Sequence, residues 1–579
     1  MKITFKKDLT TGKEVKTSEI LDAILKSRGI KNFNEFIKPP FPFDYSLKDF
    51  GFKKKEIDKV MKLLQKIREK DQSIVVYTDY DADGITGGAI LWETLHFLGF
   101  KAMPYVPHRR KEGYGFSNIG IDNVKKLYDP ALIISVDHGI TAVKQIAYAK
   151  KLGIPVIITD HHQKLEKIPK DAEAIFHIPV LSGSGTAYFF AKEVFEHFRH
   201  SELDSESKTG SRNKFGMTDE ISRLSINFET DYLALASIGT VADLVPLVDF
   251  SRSIVAHGLA AFPKVKRYGI RHIMKEAGIA GRPISPYEIG FIIAPRINAV
   301  GRLEHAIDAL RLLCTTDEKR AYALASKVGQ KNVERQDLVK QSVEEALKEL
   351  VKMEKKGLPK LIILHSKKWH EGIIGLIASR ILETYYRPVI VMTEGDGQLK
   401  ASARSIVSFH ITKFFESMKD MFINYGGHAQ AAGFTMERRK LDNFMKTAVK
   451  KADKLIKDSY LERVIEADLK IPLNVASIKL AKELYVLRPF GIGNPQPTFV
   501  SDASLAHAQL LGKNQNHLKI TVKSDGMMFP VEMVAWGKAD LFTSLSSGQK
   551  VQVVYSLDVN KWNGREKVQG KVIAFLQHI

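Results

Sequence analysis

The chain has 579 residues, of which 44% are hydrophobic and 26% charged, with a formal net charge of +21. So long a chain exceeds one core and predicts three or more domains, and its apolar stretches are too short to cross a bilayer. The single cysteine excludes an internal disulfide framework, the first 15 residues lack the apolar core of a signal peptide, and we therefore expect a cytoplasmic protein.

Residues 1–45 form a predicted N-terminal extension that ends in the proline-rich segment KPPFPFD. A first domain is predicted over residues 46–315, and it contains three strands that each end in acidic residues. The strands are SIVVY (73–77), ALIISV (131–136) and IPVIIT (154–159). The side chains that follow them are Asp79, Asp81 and Asp83 after the first, Asp137 after the second, and Asp160, His161 and His162 after the third.

Strands that alternate with helices in this way predict a parallel sheet, in which the carboxyl ends of the strands line one crevice. A single aspartate at a strand end is usually a turn or helix-cap residue. Three such ends, one of them with a histidine pair, instead favour a metal site. Carboxylate with imidazole suits Mn²⁺ better than Ca²⁺, with Mg²⁺ as the alternative. The number of carboxylates indicates two ions about 3.5–4 Å apart.

The remaining chain divides into four predicted segments. Residues 201–220 are polar without periodicity and predict a surface insertion. Residues 316–356 carry apolar residues at helical spacing and predict a connector helix, with a coiled-coil dimer as the alternative. An α/β domain is predicted at 357–455. Short alternating runs over 463–579, after the turn-rich segment RPFGIGNPQP, predict a small antiparallel barrel.

Several motifs resemble those of the DHH phosphoesterase superfamily, namely DYDADG, VDHG, DHH and ASIGTVADLVPL (236–247). Further motifs narrow the resemblance to the RecJ family of single-strand-specific 5′-to-3′ DNA exonucleases. They are PHRRKEGYG (107–115), APRINAVGRL (294–303), WHEGIIGLIASRI (369–381), ASARSI (401–406), YGGHAQAAGF (425–434) and RPFGIGNPQPTF (488–499). The resemblance runs from about residue 30 to the C-terminus, with every motif in the family's order.

The resemblance implies a two-metal centre with two accessory residues. Asp160 would support the histidines, and His162 would face the scissile phosphate. Asp231 is an alternative to Asp243 in the fourth motif, but GTVAD matches better. The implied ligands are Asp83, Asp137, His161 and Asp243 for one ion, and Asp81, Asp79 and a bridging Asp137 for the other.

The resemblance also implies residues that hold the DNA. Arg109, Ser402 and Arg404 lie in regions associated with the 5′-terminal phosphate, and Arg296 and Arg302 in a region associated with the strand. On the barrel, Trp562 and Trp536 are candidates for stacking on bases, although Trp536 could equally fill the barrel interior. Residues in matching motifs without an individual role are Asn298, His370, Gly427 and His428.

The fold class implied is α/β: a parallel-sheet DHH catalytic domain, a long connector helix, an α/β DHHA1 domain and an antiparallel barrel of the OB type. The activity implied is metal-dependent hydrolysis of single-stranded DNA to 5′-mononucleotides, in DNA recombination and repair. Single-stranded-DNA-binding protein and a RecQ-type helicase are implied partners of a monomer that needs no membrane. Two alternative functions are less consistent with the sequence. A DHH phosphodiesterase for short oligonucleotides or cyclic dinucleotides would need no barrel, and a non-catalytic binder would lack metal ligands.

Overall fold

A computed structural model describes residues 2–577 apart from 11–14, 110, 114, 210–214, 356 and 396; the side chains of 200–221, 562 and 577 also lie outside the described part. The chain divides into two units. One consists of residues 5–329 and 467–579, and the other of residues 1–4 and 330–466. None of the helices in the described ranges combines the length and the hydropathy that a membrane-spanning segment needs.

The N-terminal segment packs with the C-terminal barrel. It consists of β1 (Lys2–Asp8), α1 (Thr17–Ser27) and α2 (Phe33–Ile37). Ile20, Ile24 and Phe36 are buried in the same core as barrel residues such as Leu469 and Tyr555. The extension therefore contributes to the hydrophobic core of the barrel.

The first domain is built on a five-stranded parallel sheet with the strand order β3-β2-β4-β5-β6. Its central strands are continuous apolar runs because helices cover both faces of a parallel sheet. The elements are α3 (Lys54–Glu69), β2 (Ser73–Thr78), α4 (Ala82–Phe97), β3 (Lys101–Tyr105), α5 (Asn118–Tyr128), β4 (Leu132–Val136), α6 (Val143–Lys151), β5 (Val156–Asp160) and β6 (Ala174–His177).

Helices follow the sheet along the chain. The helix α4 packs on α7 and α9, so the helix that begins at the acidic loop lies in the core of the domain. A π-helical turn (Ile289–Ile293) joins α12 to α13. The helices are α7 (Gly183–Thr209), α8 (Phe215–Glu229), α9 (Asp231–Ala242), α10 (Asp249–Ala261), α11 (Tyr268–Glu276), α12 (Pro286–Glu288), α13 (Ala294–Leu303) and α14 (Ile307–Cys314).

Two sequence-based expectations concern helices. The predicted connector is α15 (Glu318–Glu354), one continuous helix of 37 residues that contains the boundary between the two units. The segment 201–220 is predicted to be a surface insertion; in the structure α7 continues into it to Thr209, and α8 begins within it at Phe215. Its polar composition indicated a surface segment and hid the continuation of α7 by two and a half turns.

The second unit contains a five-stranded mixed sheet with the order β10-β11-β9-β8-β7. Only β7 and β8 are parallel, and the other pairs are antiparallel. The elements are β7 (Ile362–His365), α16 (Ile374–Tyr385), β8 (Val389–Gly395), β9 (Gln398–Arg404), α17 (Ile411–Glu416), β10 (Asn424–Gly427), β11 (Ala431–Glu437) and α18 (Leu441–Leu455).

The C-terminal strands form the expected barrel. The order is β1-β12-β13-β14-β15-β17-β16, and pairing between β13 and β16 closes the sheet on itself. Most neighbours are antiparallel, whereas β12–β13 and β15–β17 are parallel. The elements are β12 (Val464–Lys470), α19 (Ile478–Glu483), β13 (Phe499–Leu511), β14 (His517–Lys523), β15 (Val531–Ala535), β16 (Lys550–Trp562) and β17 (Arg565–Gln577).

The segment RPFGIGNPQP is held to the first domain by a buried arginine of α10. The guanidinium of Arg252 donates to the carbonyl oxygens of Leu487 (3.2 Å), Arg488 (2.6 Å) and Pro489 (3.2 Å). The side-chain amide of Asn494, which is fully buried, also donates to the carbonyls of Leu487 and Pro489. These bonds satisfy the turn's backbone internally and join the barrel to the first domain.

Candidate metal centre

The acidic residues that follow the first sheet lie together at the carboxyl ends of three adjacent strands. The amide of Asp79 donates to the carbonyl of Val136 (3.1 Å), and the amide of Asp137 donates to the carbonyl of Thr159 (3.0 Å). The hydrogen bonds between neighbouring strands thus continue past the ends of β2 and β4, and they bring both aspartates beside Asp160, the last residue of β5. The convergence predicted from the strand pattern follows from this parallel register.

Three sets of side chains each offer ligand atoms that lie within 4.8 Å of one another. Asp137 belongs to two of the sets, which fits a carboxylate shared between two ions. Nε2 of His161 lies 3.1 Å from Asp137, 3.5 Å from Asp243 and 3.8 Å from Asp83. The sets are Asp83, His161 and Asp243; Asp79, Asp81 and Asp137; and Asp137, His161 and His162.

The chemistry of this cluster fits divalent cations. Oδ1 of Asp137 and Nε2 of His161 are buried, and neither has a hydrogen-bond partner among the residues that the structure describes. Burial and the charge of Asp83 raise the pKa of Asp243 to about 8, and burial and the charge of Asp81 raise the pKa of Asp79 to about 8. Burial, Asp83 and Asp81 together raise the pKa of Asp137 well above its usual range. Buried carboxylates that repel one another around unsatisfied atoms are stabilised by a bound cation.

The loop between β2 and α4 presents Asp81 and Asp83 in different ways. Asp81 is the N-cap of α4, and its Oδ1 accepts from the amides of Asp83 (3.0 Å) and Gly84 (3.1 Å). Asp83 accepts from the amides of Gly183 (2.7 Å) and Ser184 (2.9 Å) at the start of α7. Backbone donors thus fix both carboxylates, and among the described residues the backbone bonds to Asp81 all go to its Oδ1.

Glycines that the sequence analysis did not select allow this close packing. A Cβ added to Gly183 would lie 2.3 Å from Oδ1 of Asp137, and one added to Gly239 would lie 2.3 Å from Oδ1 of Asp83. Contacts this short do not occur in folded proteins, so the centre requires glycine at both positions. The SGSG sequence at the start of α7 was the available signal, because small residues at a helix start permit close approach to polar groups.

Asp160 holds the histidine pair. Its Oδ1 accepts from the backbone amides of His161 (2.7 Å) and His162 (3.1 Å) and contacts Nδ1 of His162 at 2.8 Å. Burial disfavours the charged form of His162, but the hydrogen bond and charge of Asp160 outweigh burial and raise the His162 pKa to about 9. Burial acts to raise the pKa of Asp160, yet His162 holds that pKa well below its usual range. Asp160 and His162 therefore form an ion pair.

The two candidates for the fourth motif lie at opposite ends of α9. Asp243 is the C-cap and belongs to the cluster. Asp231 is the first residue, and it faces Arg267 (3.9 Å) and accepts from the amide of Lys266 (3.1 Å). Arg267 is itself paired with Glu93 at 2.6 Å. The helix thus separates the two carboxylates, and Asp231 belongs to a buried ion-pair network.

Four residues predicted to bind DNA lie in the first domain. The guanidinium of Arg109 lies over the ring of Tyr80, 5.1 Å from its centre. Arg302 also acts electrostatically on Tyr80. Arg296 is engaged within the protein, since its Nε donates to Glu276 at 2.6 Å. Asn298 accepts a hydrogen bond from the amide of Ala82, in the loop of the metal cluster.

The other predicted residues of this kind lie in the second unit. Ser402 and Arg404 are on β9, where Arg404 Nη1 donates to the hydroxyl of Ser402 at 3.2 Å. Gly375, in the first turn of α16, packs against both, since an added Cβ would lie 2.9 Å from Ser402 Oγ and 3.2 Å from Arg404 Nη2. Burial lowers the pKa of Arg404, and no carboxylate among the described residues lies within ion-pair distance of it.

The glycine and histidine motifs surround this part of the sheet. The turn after Gly427 returns beside Arg404, because the amide of Ser405 donates to the carbonyl of Gln430 at 2.8 Å. A Cβ on Gly427 would lie 2.4 Å from the carbonyl of Ala431, so this strand end requires glycine. The amide of His428 donates to the same carbonyl. His370 accepts from the amide of Gly372 just before α16.

Trp536 is the tryptophan candidate on the barrel whose side chain the structure describes. Trp536 is 59% exposed, so the interpretation that it fills the barrel interior is wrong. Its ring meets His517 edge-on at 4.7 Å. The side chain of Trp562 lies outside the described residues.

Comparison with known families and structures gives one consistent result. The DHH family N-terminal domain matches residues 73–211, the DHHA1 domain 358–458 and the RecJ OB domain 467–574. RecJ from Thermus thermophilus in complex with Mn²⁺ is similar in structure, with a TM-score of 0.79 and 27% identity, over 100% of this chain and 80% of that one.

Two curated relatives carry the same description, single-stranded-DNA-specific exonuclease RecJ. The Bacillus subtilis protein is 33% identical over 513 residues, and the match covers 86% of this chain and 61% of the relative. The Salmonella typhimurium protein is 31% identical over 538 residues, 89% of each chain. On this similarity, the chain belongs to the RecJ family of single-stranded-DNA-specific exonucleases.

Proposed function

We propose that this protein is a metal-dependent 5′-to-3′ exonuclease that hydrolyses single-stranded DNA to 5′-mononucleotides in recombination and repair. The observation that carries the proposal is the partly buried cluster around Nε2 of His161. Three carboxylates lie within 3.8 Å of this buried atom, which has no hydrogen-bond partner among the described residues. A member of this family that had become a non-catalytic binder would be expected to have lost such side chains, and this chain has a carboxylate or imidazole at each proposed ligand position.

Two divalent cations suit the residues present, with Mn²⁺ preferred because imidazole accompanies the carboxylates and Mg²⁺ as the alternative. When bound, the ions supply Lewis-acid activation of water and neutralise the charge that develops on the leaving oxygen. Asp137 is the proposed shared ligand. The proposed ligands are Asp83, His161 and Asp243 on one side of Asp137, and Asp79 and Asp81 on the other.

His162 is the proposed contact to the scissile phosphate. The hydrogen bond and charge of Asp160 raise the pKa of His162, which favours the protonated imidazole, and Asp160 fixes the ring through Nδ1. A fixed cation beside the metal ligands offsets the negative charge of the phosphate that enters the site. Asp160 acts through His162 and through the backbone of the histidine pair.

The 5′-phosphate is proposed to bind to the second unit at Ser402, Arg404 and the first turn of α16. The first turn of a helix presents unpaired amides and a partial positive charge, which favours an anion. Arg404 adds a half-buried guanidinium without a carboxylate partner among the described residues. Gly427, His428 and His370 lie in the same unit and are proposed to shape this position. A phosphate held at a fixed site sets the polarity of digestion.

The strand itself is proposed to contact the first domain and the barrel. Arg109 and Arg302 lie beside Tyr80 and are proposed to bind phosphates, whereas Arg296 is an ion-pair partner first and reaches DNA only if Glu276 releases it. The barrel is proposed to stack bases on Trp536 and Trp562. The proposed domains are 46–315 (catalytic), 357–455 (substrate-binding) and 463–579 (nucleic-acid-binding), preceded by residues 1–45 and with 316–356 as connector.

The proposed setting extends to location and partners. A chain with a single cysteine suits the reducing cytoplasm. From the family's role, we propose that the protein is a monomer and that it acts with single-stranded-DNA-binding protein and a RecQ-type helicase.

Asp137→Asn tests the proposed function. Asp137 has a φ of 67°, a conformation that asparagine tolerates and alanine resists, so the amide removes charge with little change in backbone strain. Cleavage of a 5′-labelled single strand in Mn²⁺ is expected to be lost, while binding of the same strand measured in chelator stays within about twofold, since phosphate contacts elsewhere carry binding. Cleavage near the wild-type rate would contradict the two-metal centre.

A further inference from the structure

The backbone amides at the start of α4 donate hydrogen bonds to side-chain oxygens, and one of these oxygens belongs to a distant part of the chain. The amide of Tyr80 donates to Asp79 at 2.7 Å, and those of Asp83 and Gly84 donate to Asp81. The amide of Ala82 lies between these donors and takes no acceptor from its own loop. It donates to Oδ1 of Asn298, on α13, at 2.7 Å.

Burial makes this bond difficult to replace. Ala82 is 1% exposed, so water is not available to its amide. A buried amide without an acceptor is costly, and the surrounding structure shifts to satisfy it. The residues on either side of Ala82 are Asp81 and Asp83, so a shift of this peptide moves two proposed metal ligands together.

A second contact fixes α13 against the same loop. Gly301 follows Asn298 by three residues and therefore lies on the same face of the helix. A Cβ added to Gly301 would lie 2.6 Å from the carbonyl oxygen of Tyr80. The helix thus meets the loop at two points, by a hydrogen bond at Ala82 and by close packing at Tyr80.

We propose that Asn298 is a positioning residue of the metal centre, which sets the loop of Asp81 and Asp83 through the amide of Ala82. This role differs from the DNA contact that the family resemblance suggested for the motif. It deepens the proposed function, on which it rests, by assigning the APRINAVG motif to the support of the metal ligands. Partners that support metal ligands typically change metal affinity about 10–100-fold when removed.

The test compares Asn298→Leu, which removes the acceptor at similar volume, with Asn298→Asp, which keeps it. Mn²⁺ affinity is measured by calorimetry without DNA, and oligonucleotide affinity by fluorescence anisotropy in chelator. Asn298→Leu is expected to raise the Kd for Mn²⁺ about 10–100-fold and to leave the Kd for the oligonucleotide within about twofold. Asn298→Asp is expected to restore Mn²⁺ affinity to within about threefold of wild type.

Wild-type Mn²⁺ affinity in Asn298→Leu with weakened DNA binding would overturn the proposal and return Asn298 to the DNA-binding residues. Equal losses of both affinities would overturn it as well. If Asn298→Leu does not fold, Asn298→Ser takes its place, since the shorter side chain withdraws the acceptor from the amide of Ala82. Reduced Mn²⁺ affinity in Asn298→Ser with unchanged oligonucleotide affinity supports the proposal, and unchanged Mn²⁺ affinity refutes it. Failure of the wild type to cleave DNA would refute the proposed function alone, because both titrations are independent of cleavage.

Discussion

Gly183→Ala is expected to disable the metal centre although Gly183 binds no metal. The added Cβ would lie 2.3 Å from Oδ1 and 2.4 Å from Cγ of Asp137. Ordinary contacts begin at about 3.4 Å, so either the Asp137 carboxylate or the Gly183 backbone must move by roughly 1 Å. If the backbone moves, the amide of Gly183 leaves Asp83, to which it donates at 2.7 Å. Either adjustment displaces a proposed metal ligand.

The size of the effect follows from the tolerance of such sites. Metal–ligand distances hold to about 0.2 Å, and a misplacement of about 1 Å commonly costs about a hundredfold in rate. We therefore expect kcat/KM on single-stranded DNA to fall about a hundredfold, equivalent to about 2.7 kcal/mol of transition-state stabilisation. The assay is the release of labelled mononucleotide at saturating Mn²⁺, with circular dichroism and thermal unfolding to verify the fold.

Gly185→Ala is the matched control on the same helix. Its Cβ would lie 3.2 Å from Cδ1 of Ile254 and 3.3 Å from Cβ of Leu181, distances that a shift of a few tenths of an ångström relieves. We expect activity within about threefold of wild type for this variant, because no metal ligand lies near the new methyl group. Wild-type activity in Gly183→Ala, or equal losses in both variants, would refute the packing argument.

Three further predictions concern other parts of the molecule. Asp243→Asn is expected to abolish cleavage. Asp231→Asn, at the opposite end of α9, is expected to retain cleavage and to lower the thermal stability, because it weakens the pairing with Arg267. The reverse pattern would assign the fourth motif to Asp231. Arg404→Ala is expected to weaken the binding of 5′-phosphorylated strands roughly ten- to a hundredfold and to leave the binding of 5′-hydroxyl strands unchanged. This factor corresponds to a charge-assisted hydrogen bond of about 1.5–3 kcal/mol. Equal losses on both kinds of strand would show that Arg404 stabilises the fold or contacts the strand away from its 5′ end. Trp536→Ala is expected to cost about 1–3 kcal/mol in the free energy of binding long strands. The salt dependence of binding should not change, because no charge is removed. An unchanged Kd would show that bases do not stack on the exposed ring.

The sequence predicted the parts of the centre that depend on strand ends. Asp79, Asp137 and Asp160 follow apolar runs too short for helices, and parallel strands necessarily bring such ends to one edge. The choice of Asp243 over Asp231 rested on the match between GTVAD and the fourth motif of the family. In the structure α9 places the two carboxylates about three turns apart, and of the two Asp243 lies with the other acidic side chains.

The sequence did not predict the contacts that join distant segments. Gly183 and Gly239 matter because α7 and α9 pack against α4, and no local pattern predicts which helices meet. Asn298 contacts Ala82 across 216 residues of sequence, so its motif alone could not distinguish a DNA contact from support of the loop. The packing of Ile20 and Phe36 into the barrel was likewise hidden, because amphipathic helices do not specify their partner.

The most direct test of the central claim is the order in which label is released from a single-stranded oligonucleotide marked at either end. With Mn²⁺ present, the account predicts that the 5′ label is released first as a mononucleotide, that the 3′ label is released last, and that a blunt duplex of the same sequence is spared. Chelator should stop the reaction, since the buried carboxylates around Asp137 and His161 would lose their cations. Early release of the 3′ label, or undiminished cleavage in chelator, would contradict the account.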